Sequence, residues 1–424
     1  MLADIPLEFV LFALTLMGVA LFHHHTLYVG LGGMSAISLY KIFYGSFKDG
    51  HGVAGFIIHL EHEWVVLANL LLLLMGFALL SRHFEKSRLP VILPKFLPHD
   101  WKGGFFLLVI VFILSGFLDN IAAAMIGGAM AHQLFQARVH IGYLAAIVAC
   151  SNAGGAGSVV GDTTTTMMWI DGVSPLYVVK AYIAAGVALC VTAYFGSKQQ
   201  QAYSPIVKHA HQHTHVDKVR LGIVVLMLSS AVGTNVLVNM HYASQADCLP
   251  FLGIAVWAAI LFSVPLRRPD WEVLPETFKG SVFLLSLVVC ASMMPVEKLP
   301  AASELTTFGL GLLSAVFDNI PLTELALKQG GYDWGVLAYA VGFGGSMVWF
   351  GSSSGVALSN MFPEAKSVFA WLRYGWHVVL AYVLGFIVLS VLHGWDPHPS
   401  HNLNQDEHAS ISSPALELKA GDSK

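Results

Sequence analysis

Charged residues are scarce in this chain. Only 11% of its 424 residues are Asp, Glu, Lys or Arg, whereas 56% are hydrophobic, and the mean hydropathy is +0.67. Soluble globular domains carry about 25% charged residues, so this composition excludes an ordinary soluble protein. No hydrophilic stretch is long enough to form a catalytic domain, so no enzyme is expected. The sequence predicts an all-α polytopic membrane protein.

Cysteine is also rare, and its placement excludes two kinds of site. The four cysteines lie far apart, at positions 150, 190, 248 and 290. That spacing fits neither a zinc site nor a CxxC redox motif, so small apolar packing residues are expected. The first hydrophobic run lacks the basic residues that precede the core of a signal peptide, and it is interpreted as a retained span.

Long hydrophobic runs without charged residues recur along the chain. A bilayer crossing takes about 20 apolar residues. Lys and Arg concentrate in the loops on one side of the predicted spans, which the positive-inside rule makes cytoplasmic. A multi-pass protein of a prokaryotic inner membrane is expected. About ten spans are predicted, at residues 5–22, 25–44, 64–81, 141–170, 175–196, 220–241, 249–266, 279–295, 331–361 and 374–392.

Two further apolar segments are interrupted halfway by an Asp-Asn pair, at Asp119-Asn120 and at Asp318-Asn319. The arms on either side of each pair are too short to cross a bilayer. Segments 103–133 and 303–329 are therefore predicted to be re-entrant hairpins.

The two halves of the chain repeat these features in the same order. FLDNI at 117–121 returns as FDNIP at 317–321, and GGAGSVVGD at 154–162 returns as GGSMVWFGS at 344–352. An odd number of predicted crossings separates the hairpins, which would invert the second relative to the first. Residues 1–198 and 219–395 are therefore predicted to be two inverted-topology repeats. A polar His-rich cytoplasmic loop at 199–218 would join them, and a polar disordered tail would follow at 396–424.

Glycines punctuate the long runs 141–170 and 331–361. A glycine costs about 1 kcal/mol relative to alanine inside a helix, and it lets the backbone leave helical geometry. Each run is therefore predicted to be a broken transmembrane helix, whose unpaired backbone groups need a cavity. Inverted repeats with broken helices are typical of secondary transporters that work by alternating access. The predicted helix-break glycines are Gly154, Gly155, Gly161, Gly344, Gly345 and Gly351.

The four repeated segments contain acidic side chains and no Lys or Arg. Asp119, Asp162 and Asp318 are candidate cation ligands, because an ionisable side chain in a span costs about 2.5 to 3.5 kcal/mol and so marks function. Hard monovalent cations favour oxygen ligands, and a proton would compete with Na+ for the same carboxylate. Exchange of Na+ (or Li+) for H+ is therefore predicted. Neutral candidate ligands are Asn120, Asn319, Ser151, Asn152, Ser158, Thr163, Thr164, Ser352, Ser353 and Ser354.

Simpler interpretations stay open for several of these residues. Each Asp-Asn pair could simply cap a helix, and Thr165 and Thr166 could bond to their own helix. Glu324 is a further candidate carboxylate of the cavity. The alternating histidines of the polar loop could bind a transition metal or be a solvated stretch; they are His209, His211, His213 and His215.

Two other functions also remain open. The first is a Na+- or H+-coupled carrier of a carboxylate or oxyanion on the same fold, which would need a basic group at the cavity. The second is a channel, although broken helices suit alternating access better than a continuous pore.

FLDNI, SNAGGAGSVVGDTTTTMMWI, FDNIP and GGSMVWFGSSSG together resemble the NhaD-type sodium/proton antiporters of the ion transporter superfamily. The resemblance covers about residues 82 to 371, and GDTTTTMMW is its most specific element. Dicarboxylate carriers of the superfamily have Ser-Asn-Thr at the hairpin tips, so the Asp-Asn-Ile tips here argue against an anionic substrate.

The resemblance implies several properties. Na+ and H+ would be the transported ions, with no cofactor and no nucleic-acid partner, and the chain would form a homodimer in membrane lipid. Na+ would bind at Asp119 and Asp162. The implied cation site comprises Asp119, Asn120, Asp162 and Thr163, with Asp318 and Asn319 as their counterparts in the other repeat.

Overall fold

The computed structural model describes residues 6–22, 25–48, 50–206, 215–241 and 248–398. Across these ranges the chain is helical, and the only strand-like pairing is an isolated bridge between Phe47 and Gly50. The all-α prediction is confirmed. His209, His211 and His213, and the tail from residue 399, lie outside the described ranges.

Residues 6–206 form helices α1 to α10. In chain order they are α1 (Leu7–Leu21), α2 (Thr26–Phe43), α3 (Gly52–Lys86), α4 (Leu89–Ile92), α5 (Trp101–Ser115), α6 (Asn120–Leu134), α7 (Ile141–Ala156), α8 (Thr163–Ile170), α9 (Pro175–Val178) and α10 (Ala181–Tyr203).

Residues 215–398 form helices α11 to α19. They are α11 (Lys218–His241), α12 (Phe251–Ser263), α13 (Leu274–Ser292), α14 (Glu304–Ser314), α15 (Asn319–Gln329), α16 (Trp334–Gly344), α17 (Ser353–Met361), α18 (Val368–Tyr374) and α19 (Trp376–His393).

Within the described ranges, 5 helical segments are long and apolar enough to cross a bilayer. Each overlaps one of the predicted spans, so the chain is a polytopic integral membrane protein. The other predicted spans coincide with helices that are too short, too polar or interrupted, and the number of crossings stays a prediction. The five segments are Gly52–Lys86, Pro175–Tyr203, Lys218–Val238, Trp271–Ser292 and Trp376–His393.

Helix α3 is longer than the predicted span 64–81. It has 35 residues, and a rise of about 1.5 Å per residue makes it roughly 50 Å long, well beyond a hydrocarbon core of about 30 Å. The part of α3 that precedes the predicted span includes Glu63. Glu63 lies inside the helix and is only 7% exposed, because its carboxylate pairs with a lysine from the other half of the chain.

The two polar boundaries also differ from the sequence prediction. Helix α10 continues to Tyr203, so the predicted loop 199–218 begins as helix. The predicted tail at 396–424 begins with residues that contact the helical body. Asp396 donates its N–H to Asp333 Oδ2 at 3.1 Å, and Trp334 Nε1 donates to the His398 carbonyl at 2.9 Å.

Both predicted hairpins are helix pairs, and both predicted broken helices are interrupted. Helices α5 and α6 meet at residues 116–119, and α14 and α15 meet at 315–318. The first run breaks between Ala156 and Thr163. The second breaks between Gly344 and Ser353, with a 3-10 turn at Gly345–Met347.

The backbone repeats its local conformation at corresponding points of the two halves. Asp119 has φ −53° and ψ 141°, and Asp318 has φ −54° and ψ 142°. Asp162 has φ −141° and ψ 143°, and Ser352 has φ −143° and ψ 151°. The two halves therefore share local backbone conformation at these points, whereas the internal duplication and the opposite orientation of the halves stay predictions.

Helices α7 and α16 form the centre of the molecule. The residues of α16 are buried along its whole length, and those of α7 are buried from Gly142 onward. Around them the halves interlock, because α6 packs against α17 and α8 packs against α15. The polar ends of these helices consequently meet deep inside the protein.

Candidate cation site

Three aspartates begin helices at this central junction. Asp119 accepts the Ile121 N–H at 3.1 Å, Asp162 accepts the Thr164 N–H at 3.2 Å, and Asp318 accepts the Ile320 N–H at 3.0 Å. The capping interpretation of the two Asp-Asn pairs is therefore correct, and Asp162 caps α8 in the same way. A helix N-terminus carries about half a positive charge, which favours a carboxylate at this position.

A small cavity lies between α3 and the start of α8. Its size is close to that of one water molecule. Two carboxylates face it together with threonines, and none of the described residues that line it is Lys or Arg. The sequence does not predict that apolar side chains of α3 form one wall of this cavity. The lining residues are Leu70, Leu73, Leu74, Phe77, Asp119, Val160, Asp162, Thr163 and Thr166.

Asn152 of α7 connects the two halves through its side-chain amide. Its Nδ2 donates to Ser346 Oγ at 2.9 Å and to Ser352 Oγ at 3.2 Å. Its Oδ1 accepts from Ser354 Oγ at 2.8 Å and from Asn120 Nδ2 at 3.1 Å. Asn152 is fully buried, so the predicted ligands Asn120, Asn152 and Ser352 form one satisfied network.

Gly342 of α16 corresponds to Asn152 when the two glycine motifs are aligned. A Cβ on Gly342 would lie 3.2 Å from Asp162 Oδ2 and 3.9 Å from Thr164 Oγ1. Asp162 and Thr164 are the aligned counterparts of Ser352 and Ser354. The half that contains Asn152 therefore fills this position with an amide, and the other half leaves it without a side chain.

Asp162 Oδ2 and Thr164 Oγ1 are buried and have no hydrogen-bond partner among the described residues. Asp162 is 2% exposed and Thr164 is 0% exposed. An unsatisfied buried polar atom costs about 1–3 kcal/mol, and native proteins rarely leave one without a reason. Two such oxygens facing one side-chain-free position indicate a place for a ligand.

The remaining predicted ligands divide into two groups. Asp318 Oδ2 accepts from Ser353 Oγ at 3.3 Å, and Asn319 is buried beside it at the first position of α15. Ser151, by contrast, donates its hydroxyl to the Val148 carbonyl at 2.9 Å. Ser158 similarly donates to the Gly116 carbonyl at 2.6 Å. The structure brings neither of these last two serines into the cavity.

The threonine run behaves largely as the simpler interpretation predicts. Thr165 Oγ1 donates to the Ser158 or Asp162 carbonyl, at 2.6 and 2.9 Å. Thr166 Oγ1 donates to the Asp162 or Val159 carbonyl, each at 2.9 Å. These hydroxyls occupy the carbonyls that the helix break leaves free, while Thr166 also lines the cavity.

The main role of the motif glycines is to let neighbouring helix backbones lie close together, rather than to interrupt their own helices. Gly154 and Gly155 lie in the last turn of α7, and Gly344 ends α16, so the breaks fall after them. A Cβ on Gly154 would overlap the Phe112 carbonyl, and one on Gly344 would overlap the Gly311 carbonyl. Gly345 and Gly351 lie within the second break itself, as Gly161 does in the first.

Comparison with curated proteins identifies relatives, although no family model matches the chain. It is 28% identical over 307 residues to sodium/proton antiporter 1 of Arabidopsis thaliana, covering 62% of this chain and 50% of that protein. It is 23% identical over 386 residues to Na+/H+ antiporter NhaD of Vibrio parahaemolyticus, covering 76% of this chain and 90% of that protein. For Na+/H+ antiporter NhaD of Alkalimonas amylolytica, the identity is 24% over 347 residues, covering 70% and 68%.

The chain is related to NhaD-type sodium/proton antiporters. The resemblance inferred from its motifs is thereby confirmed. The chain spans half the length of the Arabidopsis sodium/proton antiporter 1. These relatives are named as transporters rather than enzymes.

The chemistry of the site differs from that of a transition-metal centre. Within the described ranges, no group of three or more His, Cys, Asp and Glu side chains is arranged to hold a metal ion. The candidate site instead offers carboxylate, hydroxyl and amide oxygens, which are the ligands of hard cations. Sequence reasoning missed Gly342 and Ser346, and the alignment of the two glycine motifs is the signal that could have found them.

Proposed function

We propose that this protein exchanges Na+ (or Li+) for H+ across a membrane by alternating access of two inverted-topology repeats. The names of its relatives support this proposal. The observation that carries it is the pair of unpartnered buried oxygens, Asp162 Oδ2 and Thr164 Oγ1, beside Gly342. A prokaryotic inner membrane and a homodimer belong to the same proposal.

Competition at one carboxylate would provide the exchange. Na+ would bind Asp162 with Asp119 and Thr163 of the same cavity, and with Thr164 as a neutral ligand. A proton on Asp162 would remove the negative charge that attracts Na+, so the two cations exclude each other. The empty carboxylate is a buried charge and is costly to move through the membrane, which would make exchange obligatory.

The helix N-termini favour a cation over an anion at this site. A transporter of carboxylates would use open N-termini or a basic side chain to hold its substrate. Here α6, α8 and α15 already carry the carboxylates of Asp119, Asp162 and Asp318, and Ser352 caps α17. A carboxylate or oxyanion substrate would meet negative charge, so the alternative cargo is not favoured.

The two halves supply different chemistry at equivalent places, which supports a single charged site. Asp162 in the first half corresponds to Ser352 in the second. The Asn152 amide donates a hydrogen bond to Ser352. The carboxylate of Asp162, by contrast, lies beside Gly342, which has no side chain. Rocking of the halves about this junction would expose the one carboxylate to each face in turn.

Proteoliposomes with an imposed pH gradient test the proposal. Addition of Na+ or Li+ should dissipate the gradient with wild-type protein, and Asp162→Asn should abolish this response, because the amide cannot exchange a proton. Glu276→Gln is the matched control, since it makes the same change at an exposed carboxylate of α13. A wild type that ignores these cations but moves the gradient with citrate or arsenite would contradict the choice of cargo.

A further inference from the structure

A buried ion-pair cluster lies apart from the cavity. Lys328 of α15 donates from Nζ to Glu63 Oε1 of α3 at 2.6 Å, and its Nζ lies 3.7 Å from Glu324 Oε1. Glu63 and Glu324 are 7% and 2% exposed. None of these three residues, here called the Glu63–Lys328–Glu324 triad, lines the cavity beside Asp162.

The charges of the triad do not balance if all three groups are ionised. Two carboxylates and one ammonium leave one negative charge, and an uncompensated buried charge is strongly unfavourable. Lys328 lies nearer to Glu63 than to Glu324. One proton on Glu324 would make the triad neutral and keep the shorter ion pair intact.

The surroundings of Glu324 add few other charges. Of the described residues, Lys328 and Glu63 are the charged groups that act on Glu324, although α8, α13, α14 and α16 also pack against α15. The 3-10 turn Val296–Lys298, which carries Glu297 and Lys298, packs against α15 as well. Asp171, which follows the last residue of α8, is half-buried and also acts on Lys328. His59, one turn before Glu63 on α3, interacts with Ser292 Oγ through Nε2 at 3.0 Å.

We propose that Glu324 is a second proton-binding site, charge-balanced by Lys328 and Glu63 and separate from the carboxylate of Asp162. Its part in transport rests on the proposed antiport. Helix α15 begins at Asp318 of the cation site and continues to Glu324 and Lys328. The partner helix α3 also supplies the apolar wall of the cavity. The two helices that hold the proton are therefore those that border the cation site.

Infrared difference spectroscopy on purified protein tests the protonation without any transport. A protonated carboxyl group has a carbonyl stretch that shifts on exchange into D2O, whereas a carboxylate has none. The wild-type spectrum at neutral pH should contain such a band that Glu324→Gln removes and that Glu276→Gln leaves unchanged. An ionised Glu324, for example one balanced by a protonated His59, would give no band to lose and would overturn the proposal.

Glu63→Gln provides the sharper test, because it keeps the Glu324 carboxyl group. With Glu63 neutral, Lys328 has Glu324 as its carboxylate partner within the triad, so Glu324 should ionise and the band should disappear. A band that survives in Glu63→Gln would show that burial alone protonates Glu324 and would contradict the role of the triad. By the proposed charge balance both variants leave the triad neutral, which favours folding.

The transport consequence is measured as a stoichiometry. In proteoliposomes the reversal potential of Na+-driven H+ flux gives the number of protons exchanged per Na+. Glu324→Gln should lower that number by one while Na+ transport persists. An unchanged ratio would contradict the coupling role. A wild type without Na+-driven flux would contradict the proposed antiport. The infrared experiment would still decide whether Glu324 is protonated, because it does not depend on transport.

Discussion

Asn152 and Gly342 occupy corresponding positions in the two halves of the chain, and only Asn152 has a side chain there. The Asn152 amide binds Ser352 and Ser354. The space beside Gly342 adjoins Asp162 and Thr164, whose oxygens have no hydrogen-bond partner within the described ranges. The Asn152 amide thus satisfies the polar groups on one side of this junction, whereas the proposed cation would bind the two unpartnered oxygens on the other side.

Filling the position beside Gly342 should impair cation binding without unfolding the protein. In Gly342→Ala the new Cβ would lie 3.2 Å from Asp162 Oδ2 and would occupy the space that a bound Na+ needs. The apparent affinity for Na+ should fall at least about tenfold. The measurement is the Na+ concentration that gives half-maximal dissipation of a pH gradient.

The matched control for that variant is Gly280→Ala. Gly280 lies in α13, where a Cβ would meet nothing within 4 Å, and alanine is the better helix former. Wild-type Na+ affinity in both Gly280→Ala and Gly342→Ala would contradict the assignment of the cation position.

Removing the Asn152 amide should destabilise the junction between the halves. In Asn152→Ala the side chains of Ser346, Ser352, Ser354 and Asn120 each lose a partner in a buried site. An unsatisfied buried polar group costs about 1–3 kcal/mol. The apparent melting temperature in detergent should therefore drop clearly.

Ser151→Ala is the control for the Asn152 variant. Ser151 is equally buried, but its hydroxyl bonds only to the Val148 carbonyl of its own helix. Its removal should cost less than that of Asn152. Equal losses of thermal stability in the two variants would show that the amide network has no special role.

The acid dependence of stability should include a contribution from Asp217. The hydrogen bond from Arg267, whose Nε lies 2.9 Å from Asp217 Oδ2, lowers the pKa of that exposed carboxyl group. A carboxylate with a depressed pKa in the folded state stabilises the fold above its unfolded pKa of about 3.9. The contribution is lost as the pH falls through the lower, folded pKa.

Melting temperatures of wild type and Asp217→Asn from neutral pH to about pH 3 check this linkage. The wild type should be slightly more stable at neutral pH, and the difference should narrow in acid. Glu272→Gln, a change at another exposed carboxylate, should show no such convergence. A difference that grows towards acid would have the wrong sign.

Much of the architecture follows from local patterns in the sequence. The Asp-Asn pairs predict the helix starts at Asp119 and Asp318, because Asp is a favoured N-cap. The glycine motifs predict the interruptions near Gly161 and Gly351. Both signals depend on neighbouring residues, so a single sequence contains them.

Features that depend on distant partners could not be predicted in this way. Glu63 precedes the predicted span 64–81, and its burial could not be predicted because its partner Lys328 is 265 residues away. Ser151 looked like a ligand, but the rotation of α7 directs its hydroxyl to its own helix. Gly342 carries no chemistry of its own, so its importance emerges only from the side chains around it.

Proton release on Na+ binding tests the central claim most directly. Purified wild-type protein in detergent, kept in unbuffered solution near neutral pH, is titrated with NaCl while a pH electrode records the free proton concentration, with choline chloride as the ionic-strength control. Competition at Asp162 predicts that Na+ releases protons and choline does not, and that Asp162→Asn releases none. A wild type that binds Na+ without proton release, or an Asp162→Asn variant that releases protons as the wild type does, would contradict the account.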